Sequence, residues 1–119
     1  MVNLVNQERA KAGVQPLAIE ANLVQIARIK SQDMVNFNYF GHISPNFGST
    51  FNLINSYGFR YTIGGENLAG ALDVATAHQM LMNSPGHRAN ILEPRFNRIG
   101  VGIVRGGPYG AMFTQLFLG

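Results

Sequence analysis

The hydrophobic spacing changes along this chain, and the change limits the folds that are available to it. Through the first two thirds, apolar residues recur at steps of three and four, which is the period of an amphipathic helix. In the last third, residues 99–105 and 111–118 read as strands separated by the glycine-rich segment 106–110, which predicts an antiparallel pair. Helices followed by paired strands favour an α+β domain in which helices pack in layers against a sheet.

Capping residues divide the helical part of the chain. Gly13 is placed to end a first helix, Ser49 or Thr50 to begin a third, and Asp73 to begin a fourth. The helices predicted before residue 84 cover 2–12, 19–36 and 50–57, and a fourth begins at 74. Between them, the composition predicts a strand over 59–63 and loops over 41–46 and 64–70.

The segment 83–92 predicts a short helix whose first turn directs a histidine side chain towards a cleft. Ser84 suits the N-cap, and Pro85 suits the first helical position because its φ is already helical. His87 then falls in the first turn, about one turn before Asn90, so that an imidazole and an amide can face a cleft. The alternative is that His87 merely fills a helix junction.

Length and composition describe one globular domain over residues 1–119. The apolar fraction is 46% and the charged fraction 13%, and the absence of cysteine excludes both disulfides and thiolate chemistry. Nine Lys and Arg against six Asp and Glu give a net charge of +3, but the basic residues are scattered, so we expect no nucleic-acid partner. No apolar run approaches the roughly 18 residues of a membrane span, so we expect no transmembrane segment and, for an exported protein, a signal outside this chain.

His42, Glu66 and His87 are the candidate chemical groups, because each stands in a predicted loop or at a helix start. Two imidazoles and a carboxylate can hold a divalent metal such as Zn²⁺, or form a hydrogen-bonded cleft without metal. Their wide spacing is not a local metal motif, so both alternatives stay open. Ser44 and Ser84 favour turn and cap roles because neither lies in a nucleophile elbow. A packing role is favoured for the remaining histidine, His78.

Several segments, taken in order, resemble the CAP superfamily of cysteine-rich secretory, antigen 5 and pathogenesis-related proteins, also called SCP-like domains. They include Gly65-Glu66-Asn67 and Ser84-Pro85-Gly86-His87, and together they lie at 6–9, 13–17, 39–45, 65–69, 84–92, 99–102 and 114–117. The resemblance covers nearly the whole chain and is greatest to the cysteine-free bacterial extracellular branch. It implies a three-layer α-β-α sandwich with a central antiparallel sheet, and a large cleft that holds two histidines and two acidic residues.

Carried over by motif, His42 and His87 resemble the two histidines of that cleft, and Glu66 resembles its first glutamate. The second glutamate has no counterpart here: Leu81 stands where the family has a tryptophan, and Ser84 where it has the glutamate. The expected cleft residues are therefore His42, Glu66, Asn67, Ser84 and His87. Without a second carboxylate to orient a histidine, metal chemistry that depends on one is in doubt.

The resemblance leaves several functions open. The leading interpretation is a secreted or cell-surface monomer whose cleft binds a small molecule, a lipid, a cell-envelope component or a protein, with Zn²⁺ held chiefly by His42 and His87. A second is a metal-assisted peptidase or esterase in which Glu66 is the general base. A third is a sterol- or lipid-binding domain with a groove lined by Phe37, Tyr39, Phe40 and the helix at 50–57. In a fourth, the histidines and Glu66 are only a remnant of the fold and flanking regions carry the function.

Overall fold

A four-stranded sheet lies between two layers of helices in the computed structural model, which describes residues 1–119. The helices are α1 (Val2–Lys11), α2 (Ala21–Asn36), α3 (Thr50–Ser56), α4 (Val74–Met82) and α5 (Pro85–Leu92). The strands are β1 (Ala18–Ile19), β2 (Ile43–Ser44), β3 (Gly48–Ser49), β4 (Gly64–Ala71), β5 (Arg98–Arg105) and β6 (Ala111–Leu118).

The sheet has the strand order β1-β5-β6-β4, so β4 is an edge strand. Strands β4, β6 and β5 pair antiparallel, whereas the two-residue β1 runs parallel to β5. The separate β2–β3 pair lies in the connection between α2 and α3. This topology confirms the predicted antiparallel pair of strands at 99–105 and 111–118, and it places β4, the next neighbour of β6, along one side of the domain.

Both faces of β6 are covered, and every residue of that strand is buried. Alternate side chains of a strand point to opposite faces. Phe113 and Phe117 join an apolar cluster with residues of α1, α4 and α5, whereas Leu116 and Leu118 join a second cluster with residues of α2 and α3. The two clusters confirm the three-layer α-β-α sandwich.

Two glycines of β5 explain how closely α2 packs on the sheet. A Cβ atom at Gly100 would lie 2.3 Å from the backbone of Leu23, and one at Gly102 would lie 2.2 Å from the backbone of Ala27. Only a residue without a side chain permits that approach. The hydroxyl of Ser31 on α2 then hydrogen-bonds to the Gly102 carbonyl at 2.9 Å, which fixes the helix against the strand.

The structure corrects four local predictions. Residues 59–63 are not a strand, and the predicted loop at 64–70 is instead β4, which pairs with β6 along its whole length. Ile19 lies in β1 rather than in α2, because the chain there hydrogen-bonds to β5. The predicted loop at 41–46 contains β2. At 64–70, at Ile19 and at β2, pairing with a neighbouring strand outweighed the local composition, which is a common cause of such errors.

The predicted helix starts at residues 49, 73 and 84 are confirmed. Ser49 accepts a hydrogen bond from the Phe51 N–H, and Asp73 accepts one from the Thr76 N–H, as N-cap residues do. Ser84 occupies the N-cap of α5, with Pro85 in the first turn, but its side chain makes no capping hydrogen bond.

Candidate functional site

The candidate site is built around the edge strand β4, which contributes side chains to both faces of the sheet. Glu66 pairs with Leu116, whose side chain faces α2, and Asn67 pairs with Gln115, one residue along. Because neighbouring side chains on a strand point to opposite faces, Glu66 faces the α2 layer and Asn67 faces the α5 layer. The motif Gly65-Glu66-Asn67 therefore reaches both helical layers from one edge.

Glu66 holds the imidazole of His42. The Nδ1 atom of His42 lies 2.7 Å from Oε1 of Glu66. The side chain of His42 is 59% exposed, whereas that of Glu66 is 5% exposed. With the Glu66 carboxylate accepting a hydrogen bond from the Nδ1–H group, the Nε2 atom of His42 is the ring nitrogen that remains for a ligand. The second oxygen of Glu66, Oε2, is buried without a hydrogen-bond partner.

Asn67 attaches the first turn of α5 to the same strand. Its Nδ2 donates to the carbonyl of His87 at 3.0 Å, and Nδ2 of Asn90 donates to its Oδ1 at 2.8 Å. The imidazole of His87 is partly buried, and burial lowers its pKa below 6.5, with a smaller lowering from the charge of His42. His87 is therefore mostly neutral at pH 7, the form in which an imidazole accepts a proton or binds a metal.

A buried polar network, which the sequence did not predict, fixes the segment that carries His42. Lys30 on α2 is fully buried, and its Nζ donates to the Tyr39 hydroxyl at 3.2 Å and to the His42 carbonyl at 3.1 Å. Asp33, one turn further along α2, accepts hydrogen bonds from the hydroxyls of Tyr39 and Ser44. The only sequence signal for this network was a charged residue, Lys30, on the apolar stripe of a helix.

The charges of this network are balanced by their neighbours. Burial lowers the pKa of Lys30, and the carboxylates of Glu66 and Asp33 oppose that change. Burial alone would raise the pKa of Asp33, but hydrogen bonds from Ser44, Tyr39 and Asn46 lower it below its usual value. Burial and the bond to Asp33 raise the pKa of Tyr39 to about 12, which keeps its hydroxyl protonated. The segment that bears His42 is thus attached to α2 through an ammonium and a carboxylate.

The donor set decides which kind of metal site these residues fit. No group of three His, Asp or Glu side chains is arranged to hold a metal ion. His42 offers Nε2 and His87 offers its imidazole, while Glu66 orients His42 from behind, as a carboxylate often does for a histidine ligand. Two imidazoles with further positions left to water or a ligand fit an open site better than a closed structural one.

The other sequence candidates have structural roles. Ser44 accepts hydrogen bonds from the N–H groups of Asn46 and Phe47, so it has the predicted turn role. His78 is partly buried on α4, with its Nε2 4.0 Å from Glu8. On α3, Ile54 is buried in the core and its apolar neighbours pack against the same cluster, so this helix does not line the expected groove.

Comparison with known proteins identifies the family of this chain. The sequence matches the profile of the CAP family, described as the cysteine-rich secretory protein family, over residues 2–117. The chain therefore belongs to the CAP family. It is 47% identical over 120 aligned positions to the protein YkwD of Bacillus subtilis, and 31% identical over 119 positions to the membrane protein YlbC of the same organism. It covers 46% of YkwD and 33% of YlbC, so it spans less than half of either relative.

Solved structures show the same fold. An extracellular protein from Bacillus anthracis that contains an SCP domain is 30% identical, with a TM-score of 0.88, and the match covers 98% of this chain and 38% of that one. An outer surface protein of Borrelia burgdorferi is 19% identical, also with a TM-score of 0.88, covering 98% of this chain and 87% of that one. None of the five helices of this chain has the length and apolar character needed to cross a bilayer.

Proposed function

We propose that this CAP domain acts outside the cytoplasm, secreted or at the cell surface, and binds a ligand in the cleft formed by His42, Glu66 and His87. Its location is supported by the related Bacillus anthracis protein, which is described as extracellular. The ligand we propose is a small molecule or a cell-envelope component. Asn67 and Ser84 complete the cleft: Asn67 by holding α5 against β4, and Ser84 by its place at the start of that helix.

The observation that carries this proposal is the pairing of an exposed imidazole with a buried carboxylate. A His–Glu pair needed only for stability has no reason to leave the imidazole 59% exposed. Holding a buried carboxylate costs free energy, and Oε2 of Glu66 has no partner to offset that cost. A protein retains such an arrangement where the imidazole is needed in a fixed orientation.

We propose that Zn²⁺ is held by Nε2 of His42 and the imidazole of His87. A bound Zn²⁺ supplies positive charge and polarises an oxygen atom of the ligand. Glu66 fixes the ring of His42, and Asn67 fixes the turn that carries His87. Because Ser84 replaces the second carboxylate, only one of the two histidines can be oriented by a glutamate, and we expect weaker binding than at a site with both.

Isothermal titration of the chelator-treated protein with Zn²⁺ tests this proposal. We expect saturable one-to-one binding that His42→Ala and His87→Ala each abolish, while both variants stay folded. His78→Ala is the matched control, because it removes the third histidine of the chain from a separate place on α4, and it should bind as the wild type does. Unchanged binding in both cleft variants, or no binding by the wild type, would refute the metal site.

The same His–Glu pair favours hydrolysis as a second candidate, with roles that differ from those the sequence suggested. Glu66 was expected to be the general base, but it is buried and bonded to His42. We therefore propose for this candidate that Nε2 of His42 takes the proton from water, with Glu66 orienting the ring and stabilising its charged form. Glu66→Gln keeps the shape but removes the charge, so it should reduce turnover of a peptide or ester substrate at least a hundredfold. Turnover that is indifferent to this change would exclude the candidate.

A further inference from the structure

A cavity that lies apart from the candidate site is found between the end of α2 and the turn that joins β5 to β6. Its volume is about 420 Å³, and its walls include Asn38, Tyr39, Phe40, Pro108, Tyr109 and Met112. This volume falls within the range of about 300–1,000 Å³ that is typical of small-molecule sites. None of His42, Glu66 and His87 lines it, so its ligand does not have to reach the candidate metal site.

Two aromatic rings stand exposed at this cavity without a partner in the core. Phe40 is 47% exposed and Tyr109 is 48% exposed. Their ring centroids lie 5.8 Å apart with the planes at 70°, so the two rings form a corner. The ring of Tyr109 occupies the space above Gly70, where an added Cβ would lie 2.3 Å from the ring. The position of Tyr109 is therefore supported by the fold, although half of its surface is open.

The charges around the cavity limit what it can bind. No side chain in its walls is charged. The ammonium of Lys30 already lies 4.9 Å from the centre of the Tyr39 ring, so it would repel a cation that approached this ring. Lys30 is fully buried, and its ammonium already donates to the Tyr39 hydroxyl and the His42 carbonyl, so it is not available to bind an anion in the cavity. The cavity therefore suits an uncharged ligand.

The polar groups in the walls distinguish between uncharged ligands. The Asn38 amide and the Tyr109 hydroxyl make no hydrogen bond to another side chain or to the backbone in the structure, so both can contact a ligand. An acyl chain would cover them without offering partners, which costs free energy. A sugar ring presents C–H groups to the negatively charged faces of aromatic rings and hydroxyls to an amide and a phenol. We propose that this cavity binds a neutral pyranose unit of a glycan, stacked on Phe40 or Tyr109 and hydrogen-bonded to Asn38.

Asn38 provides a precise test because it has an unusual backbone conformation. Its φ is +52°, at the point where α2 ends, and the following N–H of Tyr39 donates back to the Met34 carbonyl. Glycine is the residue best suited to this conformation, and asparagine is a common second choice. Asn38→Gly therefore keeps the backbone and removes the amide, which separates ligand binding from folding.

Nuclear magnetic resonance titration of the chelator-treated protein with two neutral trisaccharides, cellotriose and the trisaccharide of N-acetylglucosamine, tests the proposal. We expect at least one to shift the resonances of Phe40 and Tyr109, with Tyr109→Ala weakening binding at least tenfold and Asn38→Gly severalfold. Tyr57→Ala is the matched control, because Tyr57 is also a partly exposed aromatic residue but lies at the end of α3. It should bind as the wild type does. Tyr109→Phe, which only removes the hydroxyl, provides a second folded variant.

The proposal would be overturned if neither sugar shifted any resonance, or if the shifted resonances belonged to residues outside this cavity. It would also be overturned if the double variant Asn38→Gly and Tyr109→Phe bound the sugars as tightly as the wild type, or if a fatty acid or a proline-rich peptide bound this cavity in place of the sugars. His42→Ala should leave sugar binding intact. The proposals of sugar binding and of Zn²⁺ binding can therefore be refuted independently of each other.

Discussion

At the scale of single residues, Lys30 is the link between the core and the candidate site. Its buried ammonium has two hydrogen-bond acceptors on the segment that carries His42. We predict that Lys30→Met lowers the free energy of unfolding by about 1–3 kcal/mol, because the variant leaves both acceptors unpartnered and the Asp33 charge uncompensated. Urea denaturation measures the loss. Lys11→Met is the control: the Lys11 side chain is 77% exposed, and its pair with Glu8 contributes little.

A second buried charged residue, Arg9, also has a structural role. Its fully buried guanidinium donates to the carbonyls of Ile91, Glu93 and Phe96, so it fixes the end of α5 and the chain that follows, and its Nε donates to Gln15. We predict that Arg9→Lys costs about 2–4 kcal/mol of unfolding free energy, because an ammonium cannot reach four separate carbonyls. The exposed Arg28→Lys should change stability by less than about 0.5 kcal/mol. Equal effects in the two variants would contradict this role.

At the scale of elements, the packing of α2 on β5 depends on glycine at two positions of the strand. We predict that Gly102→Ala destabilises the fold by about 1–3 kcal/mol, because the added Cβ would meet the backbone of α2 at 2.2 Å. Gly86→Ala is a matched control within α5, since no atom lies within 4 Å of the added Cβ. It should be neutral or stabilising by up to about 1 kcal/mol. Thermal unfolding of both variants measures the difference.

The elements also show which structural predictions the sequence could support. The period of α2 and the caps at Ser49 and Asp73 are local signals, and all were confirmed. Strand β4 could not be found locally, because its glycines and its Glu66-Asn67 pair are typical of a loop. It forms a strand because β6, forty or more residues later, supplies its hydrogen-bond partners. The motif resemblance was more informative about Glu66 than its local composition.

At the scale of the whole molecule, the candidate site joins three distant parts of the chain. His42 comes from the α2–α3 connection, Glu66 from β4 and His87 from α5. Their spacing did not predict that Glu66 would contact His42, and the resemblance named the three residues without their contacts. The network of Lys30 and Asp33 was missed because the spacing of α2 indicates its buried face but not which distant polar groups a buried charge on that face will contact.

The molecule as a whole should lose stability in mild acid. Burial lowers the pKa of His78 and of His87 below 6.5 in the folded state, so the unfolded chain binds protons first as the pH falls. Their contribution to stability is therefore full above about pH 6.5, falls with pH below that value, and is lost once the pH drops through their lowered folded-state pKa values. Urea denaturation at several pH values from 7.5 to 5 measures this slope. The double variant His78→Gln and His87→Gln should have a smaller slope; an unchanged slope would contradict the assignment.

The orientation of His42 by Glu66 is tested most directly by determining the tautomer of His42 from long-range ¹H–¹⁵N correlations of its imidazole nitrogens. We predict that His42 carries its proton on Nδ1, bonded to Glu66, and that Zn²⁺ shifts the resonance of the unprotonated Nε2 together with that of a nitrogen of His87. Glu66→Gln should weaken the preference for this tautomer. A proton on Nε2 in the wild type, with no change on adding Zn²⁺, would contradict the claim that Glu66 orients His42 towards a ligand.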